Sequence, residues 1–325
     1  MTQREAQTPE SRVSSISVVV AVYNAAQTLH ALLDRLERSL VATGLPFEVI
    51  LVNDGSRDES WSLIQDESVS RPWLVGIDLF RNFGQHNALL CGIRAARHGT
   101  IVTMDDDLQN PPEEIPRLIE VLEAGRDVVY GAPAQEQHGF WRDMASQTTK
   151  IVLGGALGAS TARQVCGFRA FRTELRAAFD DYSGPSVNVD VLLTWATAKF
   201  GSVRVRHDPR QLGASNYTFG KLAAHALNML TGFSTVPLQI ASVLGFALTL
   251  FGVFLLMFVI ARYLINGVMV PGFTFLASVI VIFSGAQLFT LGVIGEYLAR
   301  MHFRVMRQPS YSIRRELRAA EKSFT

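Results

Sequence analysis

"TIVTMDDDLQNPP", residues 100–112, decides how the chain is read. A short β-branched apolar run gives way in one step to three consecutive carboxylates, then to a leucine, a glutamine and two prolines. The apolar part has the length and composition of a buried strand, and the prolines suit the opening of a helix. Adjacent carboxylates repel one another, so the fold itself gains nothing from Asp105, Asp106 and Asp107. Their repulsion makes sense where a cation is to be held.

Three further runs of the same kind precede this one: 16–22 (ISVVVAV), 47–52 (FEVILV) and 74–79 (LVGIDL). Helical patterns fill the intervals at about 27–42, 58–69, 84–97 and 112–124. This alternation predicts an α/β fold with a mostly parallel sheet and helices on both faces. Ligands of such sheets bind at the carboxyl ends of the strands. Here those ends carry Tyr23-Asn24, Asn53-Asp54-Gly55-Ser56, Arg81-Asn82 and Asp105-Asp106-Asp107. The polar chemistry is therefore expected along one edge.

In extended chain, residues two apart share a face, which would aim Asp105, Asp107 and Gln109 one way and Asp106 the other. Two carboxylates and an amide oxygen are a hard-oxygen set suited to Mg²⁺ or Mn²⁺, completed by waters and a diphosphate. The run lacks the glycine and glutamate of a calcium-binding helix-loop-helix. A solvated acidic turn capping the helix at Pro111-Pro112 is the other reading. "VNDGS" (52–56) places Asp54 where it could accept from a base N–H or a ribose hydroxyl, though Asp and Ser also cap helices. Arg81-Asn82 follows a strand and opens a helix, a place suited to phosphate or base contacts. "RHDPRQLGASNY" (206–217) could clamp a phosphate through Arg210 and Ser215, or could flank a membrane span. Gly154, Gly155 and Gly158 fall in a helical context and do not form a dinucleotide loop.

The 48% hydrophobic content and net charge of +1 hide a division along the chain. No Asp, Glu, Lys or Arg occurs from Leu222 to Ala261, nor from Tyr263 to Gly295. Each stretch exceeds the roughly 20 apolar residues that cross a bilayer. Spans are expected near Leu238–Tyr263 and Gly272–Gly295, joined by a turn around Asn266–Pro271. Basic residues flank both: Lys199, Arg204, Arg206, Arg210 and Lys221 before the first, and Arg300, Arg304, Arg307, Arg314, Arg315, Arg318 and Lys322 after the second. The positive-inside rule then puts the large N-terminal part and the tail in the cytoplasm. Residues 1–15 are polar and carry no signal segment, in keeping with that orientation. Segments 140–158 and 219–233 have the mixed spacing of helices in the headgroup layer, or, for the first, of a helix packed on the core. Cys91 and Cys166 read as isolated thiols.

Taken in order, "VVVAVYNAA", "VNDGSRDES", "RNFGQHNALLCGIRAA", "MDDDLQNPP", "GFRAFR", "RQLGASNYTFGKL" and the two C-terminal spans resemble the family 2, GT-A-fold polyprenyl-phosphate glycosyltransferases. The resemblance runs from about Ser15 to Ser310. It implies inverting, metal-dependent transfer of a sugar from a nucleotide sugar, with a uridine diphosphate donor first in line, to a polyprenyl phosphate such as undecaprenyl phosphate. It assigns the nucleotide to Ala21, Tyr23, Asn24, Asp54, Arg81 and Asp105, and the metal, Mg²⁺ or Mn²⁺, to Asp105, Asp107 and Gln109. Arg210, Ser215 and Lys221 would meet the donor phosphates, and Arg169 would stand near the acceptor phosphate. Asp107, Arg210 and Arg169 are then the candidate catalytic residues.

The chain departs from the family pattern in three places. Ala21 and Ala25 flank Tyr23-Asn24 where relatives read P-x-Y-N-E; His86 stands where many carry an acid; and Gly167 replaces an aspartate common before Phe-Arg. The resemblance also implies a bacterial inner membrane location, a lipid bilayer as partner, a homo-oligomer formed through the spans, a downstream flippase, and no nucleic-acid partner. The expected organisation is a polar tail (1–15), a cytoplasmic GT-A domain (16–218), a juxtamembrane amphipathic helix (219–234), two spans within 235–299 and a basic tail (300–325). The competing readings are a transferase acting on another lipid or a growing polysaccharide, and a degenerate, non-enzymatic membrane scaffold.

Overall fold

The computed structural model describes residues 12–133, 165–184, 187–208, 236–266, 272–306 and 308–318. The chain divides into two units, Met1–Tyr217 with Arg307–Thr325, and Thr218–Met306.

The first unit is built on an eight-stranded sheet in the order β7-β5-β6-β4-β1-β2-β3-β8. The strands are β1 (Ile16–Val22), β2 (Phe47–Asn53), β3 (Leu74–Leu79), β4 (Thr100–Met104), β5 (Val128–Pro133), β6 (Arg169–Arg172), β7 (Phe200–Val205) and β8 (Ile313–Leu317). The four strands expected from the apolar runs form its parallel heart, β3-β2-β1-β4. β6 joins β4 antiparallel, β5 joins β6 antiparallel and β7 parallel, and β8 runs antiparallel to β3. The sheet is thus GT-A-like and mixed. Central β1 is covered on both faces, with Ile16, Val18, Val19, Val20 and Val22 all fully buried, which explains its unbroken apolar sequence.

Helices α1 (Ala26–Thr43), α2 (Ser60–Ser70), α3 (Gln85–Ala95) and α4 (Ile115–Glu123, after a 3₁₀ turn at Pro112–Glu114) connect the parallel strands and flank them. α5 (Val189–Ala196) lies between β6 and β7 in sequence. α4 buries Ile115, Leu118, Ile119 and Leu122, an i, i+3, i+4, i+7 stripe. α3 lies tight on β1: a methyl at Gly92 would come within 2.3 Å of Val19 Cγ1. That close approach fixes where the N-terminus of α3, with Gln85 and His86, meets the strand ends.

The tail expected as a basic extension is in part the edge strand β8, so the sheet contains chain from both sides of the apolar helices. In the second unit, α6 (Val236–Asn266) contains the first expected span, and α7 (Phe273–Val305) covers the second from Phe273 and runs beyond it. Val236–Ile265 and Ile282–Ala299 are each long and apolar enough to cross a membrane. The two helices meet at Gly252, where an added methyl would lie 3.2 Å from the Phe283 ring. Segments 140–158 and 219–233 lie outside the described residues.

Candidate active site

The carboxyl ends of β1 to β4 converge as expected, through contacts the sequence does not announce. At the end of β1, Asn24 has φ 53°. Its side chain accepts from Arg57 N at 2.8 Å, and its own N–H donates to Ser56 Oγ at 3.0 Å. Tyr23 is 45% exposed, and its N–H donates to Asp106 Oδ2 at 3.1 Å. Asp106 therefore does not simply face away. It ties the end of β4 to the end of β1. Burial, reinforced by the neighbouring charges of Asp105 and Asp107, pushes its carboxyl up to about 6.

Asp54 lies at the end of β2 and is 2% exposed. Its two oxygens accept from Phe83 N at 2.7 Å and Gly84 N at 2.9 Å. Burial raises its pKa, partly offset by those two donors. Each oxygen of the carboxylate already accepts one backbone N–H, so Asp54 has a structural task at the place expected for the base or ribose contact. It shapes the loop carrying Arg81. Gly55 completes the arrangement at φ 65°, where an added Cβ would sit 2.5 Å from Arg81 C and Asn82 N. Arg81 is exposed, its guanidinium 4.6 Å from the Phe83 ring centroid.

Beyond Met104 the chain turns instead of staying extended. Leu108, at φ 59° and 3% exposed, buries its side chain in the core, and Gln109 N donates to Asp107 Oδ1 at 3.1 Å. The left-handed leucine costs about 1–2 kcal/mol, offset by its burial. The expected alternation, with Asp105, Asp107 and Gln109 on one face, is replaced by this tight turn. Asp105 Oδ1 accepts from Gln85 Nε2 at 2.6 Å. Gly167 lies against the same carboxylate: a Cβ there would sit 2.8 and 2.9 Å from its oxygens. In this chain the glycine leaves the Asp105 carboxylate room, and a side chain at 167 would have to displace it. Among the described residues no three His, Cys, Asp or Glu side chains gather as a ready-made metal cluster. Asp105 and Asp107, with diphosphate oxygens and water, remain a hard-oxygen set that fits Mg²⁺ or Mn²⁺.

Arg169 requires a correction. It is 1% exposed, forms an ion pair with Asp190 and donates through Nε to Thr103 Oγ1 at 3.0 Å. Tyr130 OH donates to the same Asp190 oxygen at 3.0 Å, and Thr103 Oγ1 donates to Gly167 O at 2.8 Å. A guanidinium so enclosed cannot meet an acceptor phosphate. It braces β4, β6 and α5 beneath the aspartates. His86 Nδ1 accepts from Val189 N at 3.3 Å, docking α3 on α5. The DDDLQ turn is also joined to the basic segment: Asp208 N donates to Gln109 O at 2.8 Å, and His207 Nδ1 lies 3.3 Å from Asn110 Oδ1. Arg210, Ser215 and Lys221 lie outside the described residues. Reading the sequence alone missed Gln85, Asp106 and Asp190 as members of the site. Their only advance signal was position, at a helix start, inside the acidic run and at the head of α5.

Comparison with known proteins follows this geometry. Residues 17–175 match the model of "Glycosyl transferase family 2". The chain is 35% identical over 312 residues to an undecaprenyl-phosphate 4-deoxy-4-formamido-L-arabinose transferase of Pectobacterium carotovorum subsp. carotovorum, covering 95% of each. It is 34% identical to a protein of the same name from Pseudomonas aeruginosa, covering 96% of this chain and 93% of that one. Among solved structures it resembles glucosyl-3-phosphoglycerate synthase of Mycobacterium tuberculosis in complex with Mn²⁺, uridine diphosphate and glucosyl-3-phosphoglycerate. That similarity has a TM-score of 0.52 at 18% identity, over 67% of this chain and 78% of the other. With a GT-A-like sheet, carboxylates gathered at its strand ends and relatives matched along nearly their whole length, the chain belongs to the family 2 glycosyltransferases.

Proposed function

We propose that this glycosyltransferase moves a sugar from a nucleotide sugar, a uridine diphosphate sugar first in line, to a polyprenyl phosphate such as undecaprenyl phosphate, with inversion at the anomeric carbon. The observation that carries the reading is the extent of the match. Relatives named for an undecaprenyl-phosphate acceptor align over 95% of the chain, the apolar helices included.

A polyprenyl monophosphate is already an anion near neutral pH, so its oxygen attacks the anomeric carbon without a base from the protein. That bond forms as the bond to the nucleoside diphosphate breaks, and the electron pair leaves with the diphosphate. The protein's larger tasks are alignment and stabilisation of the leaving charge. Asp105, Asp107 and Gln109 would hold the divalent cation, which when bound supplies Lewis-acid neutralisation of the departing diphosphate. The backbone of Gln109 also closes the turn on Asp107 and joins it to Asp208. Tyr23, Asn24 and Arg81 line the mouth of the strands, where a nucleoside is expected, and Ala21 lies at the end of β1. Arg210, Ser215 and Lys221, by the family resemblance, would meet the donor phosphates.

The sheet supports an even number of membrane crossings. β3 precedes the apolar helices and β8 follows them, yet the two are hydrogen-bonded neighbours. Chain leaving the domain must return to the same side. With the basic flanks, this supports a hairpin in the bacterial inner membrane with the catalytic domain and both termini cytoplasmic. A flippase to carry the product across, and a homo-oligomer packed through the hairpins, complete the reading.

The test is to incubate membranes containing the full chain with undecaprenyl phosphate and a panel of nucleotide sugars, including a uridine diphosphate 4-deoxy-4-formamido-L-arabinose donor. Mass spectrometry of the lipid fraction should show one monoglycosylated product, of inverted anomeric configuration by NMR. No lipid-linked sugar from any donor would overturn the acceptor assignment, and retained configuration would overturn single displacement.

A further inference from the structure

We propose that the last strand of the chain belongs to the donor site: Ser312 and Arg314, lying beyond the apolar helices in sequence, are positioning residues for the Phe80–Gly84 loop. The functional half of this inference rests on the nucleotide role proposed above for that loop.

The loop joins β3 to α3 and presents Arg81. On its inner side it is fixed by Asp54, which takes the N–H groups of Phe83 and Gly84, and by the close approach of Gly55. On its outer side the holding groups come from the tail. β8 pairs with β3 through Gly76↔Leu317, Ile77↔Glu316, Asp78↔Arg315 and Leu79↔Ile313, with a register shift between Asp78 and Leu79. Past the last of these pairs, Phe80 N donates to Ser312 O at 3.1 Å. Arg314 Nη2 donates to Phe80 O at 3.1 Å, and its guanidinium lies 5.3 Å from the Phe80 ring centroid. Arg314 Nη1 also comes within 3.9 Å of Asp78 Oδ2, on a side chain that is 6% exposed. Both backbone groups and the ring of the residue immediately before Arg81 are therefore engaged by the tail.

The rest of the tail sets this register. Arg318 reaches Glu48 Oε2 at 3.3 Å and Ala95 O at 3.0 Å, while Ser310 Oγ donates to Gly184 O at 2.7 Å. These anchors lie on either side of Arg314, and a slip of one residue would turn its side chain to the opposite face of the sheet. Without β8, β3 would be an open edge leading directly into the loop. The segment matched by the family model, 17–175, therefore lacks one wall of its own donor loop.

The experiment uses the full chain in detergent micelles, as wild type, Arg314→Ala and Arg314→Lys. Uridine diphosphate with MnCl₂ is the binding probe, alongside donor kinetics and amide hydrogen exchange. Arg314→Ala should weaken uridine diphosphate binding and raise the donor KM by about tenfold, with kcat within about twofold of wild type. Exchange should accelerate at residues 80–84 and not through the sheet. Arg314→Lys, which keeps a cationic donor, should recover most of the affinity. Unchanged exchange at 80–84, or acceleration spread across the whole domain, would overturn the positioning role. Faster exchange at 80–84 with unchanged binding and KM would uphold the coupling and overturn the nucleotide role of the loop.

Discussion

Replacing Gly167 by alanine should disable the enzyme while sparing the fold. The new methyl would start 2.8 Å from Asp105 Oδ1, 2.9 Å from Oδ2 and 3.1 Å from Cγ, where ordinary contact begins at 3.4 Å. Asp105 must then retreat from 2.8 Å to 3.4 Å, a shift of about 0.6 Å. Its Oδ1 also holds a 2.6 Å bond to Gln85 Nε2, which that shift would disturb. Gly167 is not among the glycines with left-handed φ, so alanine brings no backbone penalty and the contact is tested alone. A misplacement of 1 Å in a reacting arrangement costs roughly 10²-fold, so the expected loss in kcat/KM is about 10- to 50-fold. The stability cost should stay near 1 kcal/mol, at the low end for overpacking, because the clashing atoms end a side chain. The assay compares donor kinetics, Mn²⁺ titration and thermal unfolding. Gly131→Ala is the control: there the methyl would meet the Phe168 ring at 2.6 Å, and stability should fall with metal dependence unchanged. Transfer and Mn²⁺ dependence of Gly167→Ala within threefold of wild type would refute the argument that this glycine makes room for Asp105.

Asp107→Ala should abolish metal-dependent transfer, and a variant with normal turnover across a Mn²⁺ titration would refute the metal assignment. In metal-free protein, the Asp106 carboxyl is pushed up to about 6, above the unfolded value of about 3.9, so the folded state binds the extra proton between those limits. Stability should fall as pH rises from about 4 to about 6 and level off above, and Asp106→Asn should flatten that slope in denaturant melts with EDTA; an unchanged slope would count against it. Asp190→Asn removes the counter-charge of buried Arg169 and should cost about 3–5 kcal/mol, read as a large drop in thermal midpoint. Tags at the N-terminus and after residue 325 should be cleaved from the same face of inverted vesicles; opposite faces would contradict the hairpin.

How much could be read from sequence follows from where each residue finds its partners. β1 to β4 were legible because a strand buried on both faces must be apolar throughout, and their ranges matched nearly residue for residue. β6 and β8 were not. "RAFR" places arginine in the interior, which becomes tolerable only once Asp190, about 20 positions later, folds onto it. "IRREL" has the composition of a basic membrane flank, because a charged edge strand and a solvated tail draw on the same residues. The acidic run was recognisable as a site, but its geometry was not. Alternation holds only while the chain stays extended, and Leu108 turns it at once by placing its side chain in the core.

Asp54 sharpens the point. An aspartate before glycine and serine suits a ligand contact and a structural turn equally well, since both need an acceptor at a strand end. The choice is made by Phe83 N and Gly84 N, about 30 residues away, which arrive with both donors aimed at its oxygens. The same division runs through the whole site. Arg81, Asp105 and Asp107 are the groups whose charge suits a nucleotide, a diphosphate or a cation. Asp54, Gly167, Arg169 and Arg314 instead contact protein groups around them, and the proposed reading gives them the task of setting where the first three stand. A family motif marks both kinds of residue alike, and burial with internal partners points to the second kind: Asp54 and Arg169 are 2% and 1% exposed and held by protein groups. Their substitutions should therefore act through the placement of others, which makes hydrogen exchange and unfolding, read beside kinetics, the measurements that tell the two kinds apart.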